Sequence, residues 1–411
     1  AAAAAAEVAH PSVAAAARPP PARAPVEAIE VEFSQPEGQP TASAPATSGD
    51  PAVALATAQV ETLLLPSSML GAGFELVRLE VKGGKRVLNF LLYNAFPENA
   101  LTAKGQEAAG VNTAGAEFRG GWLGAAKEAA TRVDLEGVTF VGSGAVVEDL
   151  KDVSLLDYTL PQEQLLEQLG VELHGILGRP FFQLYDMDLD RYGNRASFYA
   201  PGQAASQGFY STVKHLPGIE LPSGGMGVVV RGKAKPQGDE TEGRQVAFVG
   251  LVDTGAAHTV LNWEAAKLLG YSGPEDPELF QATKVLGASD KGTADEMPVV
   301  LARLSLSGVP EGIKPMMVAV SKDQWESDGG GGWYFDKLDA GPGGLELGAV
   351  NVAIGNVLGL SVLRDSKIGP FVGAAAIVGQ DLLFQAQRVV LDSSSKQLWL
   401  EPGDVKDAPE M

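Results

Sequence analysis

The chain has no cysteine, four histidines and only 7% aromatic residues. Without thiols it cannot build disulfide scaffolds, cysteine nucleophiles, thiolate zinc sites or iron–sulfur clusters. The histidines, His10, His174, His215 and His258, are scattered along the sequence, so no histidine metal cage is expected, and no cofactor. Basic charge is also scarce. With 31 Lys+Arg against 51 Asp+Glu the formal net charge is −20, and such an acidic protein would repel nucleic-acid phosphates. Long apolar runs are missing too. The longest informative uncharged stretch, Leu347 to Leu363, spans 17 residues and carries Asn351, Asn356 and three glycines. A membrane span needs about 20 mostly apolar residues, so this stretch is expected to be buried core or packed loop.

What is plentiful is turn chemistry: 50 glycines and 26 prolines in 411 residues, the composition of a β-rich chain with many short connections. The length exceeds one comfortable core, so two lobes are expected. Residues 1–56 stand apart. The first 50 residues contain 17 Ala and 8 Pro with almost no apolar periodicity, too little burial to offset ordering entropy, which reads as a disordered tail or linker. Its Ala-rich opening, with Arg18, Arg23 and Glu7 as the single acid before Glu27, faintly resembles the remnant of an organellar transit segment, such as a plastid one. A plain low-complexity spacer is the competing reading, and the compartment stays open.

From about residue 57 short β-like runs alternate with Gly, Pro and Asp. Leu79-Glu80-Val81-Lys82 alternates apolar and charged residues and meets Gly83-Gly84, a strand entering a hairpin, with Val87 to Leu92 returning. The pattern recurs. Val228-Val229-Val230-Arg231-Gly232 corresponds to Leu79 to Gly83, and Gln245 to Val252 corresponds to the return strand, which pairs Tyr93 with Asp253, 160 positions on. His174-Gly175-Ile176-Leu177-Gly178 matches Ala375-Ala376-Ile377-Val378-Gly379, and both halves close on an aromatic strand, Ser197-Phe198-Tyr199 and Gln397-Leu398-Trp399. The chain is therefore read as a tandem duplication of one β-rich unit, residues 57–205 and 206–411. Tyr93 to Gly178 is 85 positions and Asp253 to Gly379 is 126, a difference of 41. That excess is assigned mostly to residues 325–363, around Gly329 to Gly332, as a surface loop.

Asp253-Thr254-Gly255-Ala256 follows an apolar strand and precedes Thr259-Val260-Leu261, and Ile377-Val378-Gly379 lies downstream. On these residues the chain, over roughly residues 70 to 400, resembles the aspartic protease superfamily, in particular retropepsin-like units joined in tandem as in two-lobed pepsin-like enzymes. The resemblance implies a mainly β, two-lobed acid-protease-like fold with short helices. It also implies that Asp253, Thr254 and Gly255 form one catalytic loop, with Gly178 and Gly379 in segments crossing beneath the two loops. Two facing carboxylates sharing one proton activate water in that family, since like charges about 3 Å apart cannot both ionise.

The first copy departs from the pattern. It places Tyr93-Asn94-Ala95 where the second has Asp-Thr-Gly. A phenol with an ordinary pKa near 10 cannot share a proton as a second carboxylate does, Ala95 removes the close-approach glycine, and Asn94 is expected to alter the brace between loops. Tyr93 then reads as a buried aromatic with a satisfied hydroxyl, and Asp253 as a carboxylate holding its own turn. Glu98, five residues on, is expected at the surface rather than as a substitute acid, and His258 as a loop histidine. Asp186, Asp188 and Asp190 read as a solvated strand face rather than a calcium loop, because Arg191 stands where the loop glycine belongs. Gly142-Ser143-Gly144 lacks the Lys-Ser/Thr of a phosphate loop, and Gly238 to Gly243 reads as a solvated hairpin tip.

The preferred functional reading is a non-catalytic binding or structural module. The alternative is an active aspartic endopeptidase in which Asp253 pairs with its copy in a second chain. A protein or peptide partner is expected in the interlobe cleft or at the 325–363 insertion, where Trp325, Trp333, Tyr334 and Phe335 could anchor it. Those aromatics folding back on their own lobe is the equal alternative.

Overall fold

A computed structural model describes residues 28–30, 53–84, 86–112, 131–143, 147, 150–156, 158–204, 213–222, 224–236, 242–288, 294–318, 332–340, 344–363 and 370–403. Strands dominate, and the longest helix among the described residues, Pro161–Gln168, has eight residues. No described helix is long and apolar enough to cross a membrane.

The two copies repeat one topology. Leu88–Leu92 pairs antiparallel with Gly73–Glu80 and parallel with Gly175–Leu177. Gln245–Val252 does the same with Met226–Lys233 and Ala375–Val378. Parallel neighbours need a long crossover, and both crossovers contain the same step. Ala100–Leu101 runs parallel to Leu150–Leu155, and Val260–Leu261 runs parallel to Leu345–Ile354. In the second lobe Met226–Lys233 also pairs with Ala294–Ser307, which closes a barrel of six strands.

Between the lobes runs an antiparallel six-stranded seam. Its order is Lys214–Pro217, Gln397–Pro402, Ala386–Asp392, Asp186–Asp190, Arg195–Tyr199, Ala56–Leu64. The strands that lead into the two loops are buried on both faces, because side chains alternate between two cores. Val77, Phe90, Leu92, Val228, Phe248 and Val252 enter one core, while Leu76, Leu91, Val229, Val249 and Leu251 enter the other. The fold is mainly β and two-lobed, as the duplication implied.

Several expectations are corrected. Leu91 and Leu251 are equivalent, and their partners are Leu76 and Gly227, so Val77 rather than Leu79 corresponds to Val228. A slip of two residues keeps every side chain on its face, so the apolar pattern alone could not detect it. Leu345–Ile354 is not insertion but a barrel strand, with Val350, Val352, Ala353 and Ile354 buried. The register pairs Ala100 with Ser154 and Val260 with Ala353, spans of 54 and 93 positions, so 39 of the 41 extra residues precede Ala353. Asp186 and Asp188 are not solvated but 0% and 3% exposed, because their strand lies in the middle of the seam. Asp188 accepts both arms of Arg388, at 2.7 and 2.6 Å.

The insertion aromatics also fold inward. Gly332–Phe335 pairs with Pro315–Val318, and Trp333 is fully buried against Phe335 and Phe371, with Tyr334 and Phe335 half-buried. A ring with no exposed surface cannot anchor a partner, so Trp333 is a core residue. Trp325 lies outside the described residues. So does most of the N-terminal tail, although Ala28–Glu30, within residues 1–56, forms a strand on Pro315–Val318. Gly142-Ser143 forms part of a turn, whereas Gly144 and most of the 238–243 loop are also outside.

The glycines after the apolar pairs sit where no side chain fits. A Cβ on Gly178 would overlap the backbone carbonyl of Glu98, and one on Gly379 that of His258. Glu98 and His258 are themselves 160 positions apart, so the collisions are symmetric. Gly178→Ala should therefore cost about 3 kcal/mol or more through forced backbone shifts, read as a lowered midpoint in urea. A change below about 1 kcal/mol would show that the crossing segment has slack.

Candidate functional site

Each loop starts where its strand is held by the parallel neighbour. Tyr93 N donates to Leu177 O at 3.0 Å, and Asp253 N donates to Val378 O at 3.1 Å. The residues behind them match as well. Gly178 N donates to Asn99 Oδ1 at 2.9 Å, and Gly379 N donates to Thr259 Oγ1 at 3.1 Å. Thr102 and Asn262 then cap the helices Ala103–Ala109 and Trp263–Leu268.

The two loops meet and brace each other. Asn94 N donates to Thr254 Oγ1 at 3.1 Å, and Thr254 N donates to Asn94 Oδ1 at 2.9 Å. Thr254 Oγ1 donates to Leu92 O at 2.8 Å, and Asn94 Nδ2 donates to Val252 O at 3.1 Å. Each side chain thus caps the other loop's amide and reaches the carbonyl two residues before the opposing brace residue. The expectation that Asn94 alters the brace is overturned. A hydroxyl accepts and donates through one atom, and a carboxamide divides those tasks between Oδ1 and Nδ2.

Asp253 is 2% exposed. Its Oδ1 accepts Gly255 N at 2.9 Å, and Ala256 N donates as well. Burial outweighs these bonds and pushes the carboxyl up to about 7. Tyr93 faces it from the first lobe. Its phenol is held well above the usual range, first by burial and then by the Asp253 charge. The ring lies so close over Gly255 that a Cβ there would overlap it, and it tilts against Phe96 at 5.3 Å.

Gln162, which no sequence motif flagged, closes the arrangement from the helix Pro161–Gln168. It donates from Nε2 to Gly255 O at 3.1 Å and lies beside the Tyr93 phenol. Ala95 is buried, and its carbonyl takes Arg179 Nη2 at 3.4 Å. Across the two braced loops the chain has one carboxyl and one phenol, with the Gln162 carboxamide beside them. Among the described residues no second carboxyl acts on Asp253.

The other flagged acids and bases are engaged elsewhere. Glu98 is half-buried, bonded to the Ser154 hydroxyl and 3.6 Å from Arg132. His258 Nε2 contacts Met69 O at 2.8 Å. Among the described residues no group of three or more His, Asp or Glu is placed to hold a metal ion.

A second cluster behind the loop was also not legible. Gln380, next to Gly379, donates from Nε2 to Thr254 O at 2.8 Å and to Glu75 Oε2 at 3.0 Å. Arg191 meets Glu75 Oε1 at 2.7 Å and Gln380 Oε1 at 3.2 Å, and it donates to Leu383 O and Ala386 O at 2.5 and 2.7 Å. Glu75 has no solvent exposure at all. The Thr254 turn is thereby wired to both lobes.

No protein-family model matches the chain, and no curated protein matches it by sequence. Among solved structures it is similar to the crystal structure of basic 7S globulin from soybean, at 12% identity, over 85% of this chain and 95% of that one, with a TM-score of 0.40. A likeness of that size is one of distant chain path and bears on neither activity nor site residues.

Proposed function

We propose that this chain is a non-catalytic module on an acid-protease-like scaffold, serving as a binding or structural component for a protein or peptide partner. The observation that carries the reading is Tyr93. It stands against Asp253, its ring covers Gly255, and Gln162, bonded to Gly255 O, lies beside its phenol. Peptide hydrolysis on this scaffold needs a base for the water and an acid for the developing oxyanion. Each assisted proton transfer is worth about 10²–10⁴-fold. One carboxyl cannot supply both roles in one step, and a phenol whose ionisation is suppressed does not replace the second.

The other reading, with Asp253 pairing across two chains, requires the first lobe to leave. That would break the Asn94–Thr254 brace and open the six-stranded seam. The expected result is that the purified chain leaves denatured casein intact at acidic and neutral pH. Asp253→Asn should be indistinguishable from it. Pepstatin-sensitive cleavage that disappears in Asp253→Asn would sink the proposal in favour of the endopeptidase.

A further inference from the structure

The seam contains two carboxyl groups that the Tyr93–Asp253 site does not use. Met187 and Leu391 form the last register pair between Asp186–Asp190 and Ala386–Asp392, which brings Asp186 of one lobe opposite Asp392 of the other. They are 0% and 2% exposed. Asp186 Oδ2 accepts Ala204 N at 2.9 Å, and the nearby Gly202 amide also favours the charged form. Its Oδ1 is buried beyond the reach of any N–H or hydroxyl donor among the described residues. The Asp392 carboxyl faces the Asp186 side chain across the two strands and acts on it at close range. Asp392 Oδ1 is itself held by the Ser394 hydroxyl at 2.7 Å and Ser395 N at 2.8 Å. Two carboxyl groups bond to each other only if one carries a proton.

We propose that Asp186 and Asp392 form a proton-sharing clasp between the lobes, closed while one proton lies between them and loosened when it leaves. Among the described residues no cation acts on Asp186 to replace that proton. Arg388, the nearest charged group on the neighbouring strand, is committed to Asp188 through both arms. Lys396 acts on Asp392 rather than Asp186, and its ammonium donates to Ser393 O at 2.6 Å and sits 3.8 Å from Glu220. On the other flank the register partner of Asp186 is Tyr199.

Burial first, and the Asp392 charge second, push the Asp186 carboxyl up to about 7. In the unfolded chain an aspartate titrates near 4. Between these values the folded seam keeps a proton that the unfolded chain has released. Seam stability is therefore greatest at the acid end and falls as pH rises through that window. Asp253 and Asp381, also raised by burial, lie off the six seam strands, so they add the same sign to global unfolding and not to local opening of the seam.

Hydrogen exchange of the amides at 187–190 and 387–392 tests the clasp in the full chain. Protection, corrected for intrinsic rate, should fall by up to about tenfold per pH unit between about pH 5 and 7, both in the unmodified protein and in Asp253→Asn. In Asp186→Asn that tenfold component should vanish, while the carboxamide still donates to Asp392. A wild-type slope in Asp186→Asn overturns the proposal. If that variant does not fold, Asp392→Asn provides the second arm. Removing the neighbouring charge should end the fall at lower pH, and an unchanged window overturns the clasp.

Discussion

Replacing Arg191 with methionine should cost about 3–5 kcal/mol, the range for breaking a buried ion pair by removing one partner. The loss goes beyond charge. Glu75, fully buried, keeps only Gln380 as a side-chain partner among the bonds described, and the carbonyls of Leu383 and Ala386 lose their donor. Melting should fall by roughly 10 °C on the scaling for domains of this size. Adding Glu75→Met should recover a large part, since an apolar pair of similar volume often replaces a buried ion pair at little cost. A single-variant effect below about 1 kcal/mol, or no recovery in the double variant, would mean that solvent reaches the pair and that the lobes do not depend on it.

The other large effect concerns chemistry. Because Asn94 already supplies the brace, only two changes separate the first loop from its counterpart in chemical terms. Tyr93→Asp with Ala95→Gly should put a second carboxylate opposite Asp253 without disturbing the Asn94–Thr254 bonds. The pair would then titrate with two separated apparent pKa values, and peptide cleavage at acidic pH should rise by about 10²-fold over the parent background. Recovery is expected to be partial, since Gln162 still reaches across to Gly255 O in the double variant. The unmodified protein and the Ala95→Gly single variant serve as baselines. A double variant that folds, shows the split titration and still cleaves nothing would locate the defect in substrate placement rather than in the missing acid.

The parts of this site that could be read from sequence were those with a fixed spacing. Asp253, Gly178 and Gly379 follow apolar strands, and at the two glycines geometry tolerates one residue type. Tyr93 was legible as the departure because its flanking strands matched. Asn94 was misread since a carboxamide and a hydroxyl look unlike as letters, yet they satisfy the same four backbone groups. Gln162, Glu75 and Arg191 reach the site by side chains from distant elements, and no local pattern marks such a residue. Trp333 was open to two equal readings, a partner anchor or a ring folded back on its own lobe, and the second is the one seen.

The seam has a further consequence during synthesis. Asp186–Asp190 cannot complete its ladder until Ala386–Asp392, some 200 residues later, has been made. In the interval one edge of that strand waits on the ribosome-bound chain with its hydrogen-bonding groups unsatisfied, a template for pairing with any other nascent chain. Asp186, Asp188 and Asp190 fall on alternate positions, so in water at neutral pH they form a row of negative charge along that waiting edge. Identical edges then repel one another. Only the incoming strand, which brings Arg388 for Asp188 and a buried neighbour for the proton of Asp186, relieves the repulsion. Asp186 and Asp188, costly to bury in the finished protein, therefore act with the partly exposed Asp190 as a guard against premature association.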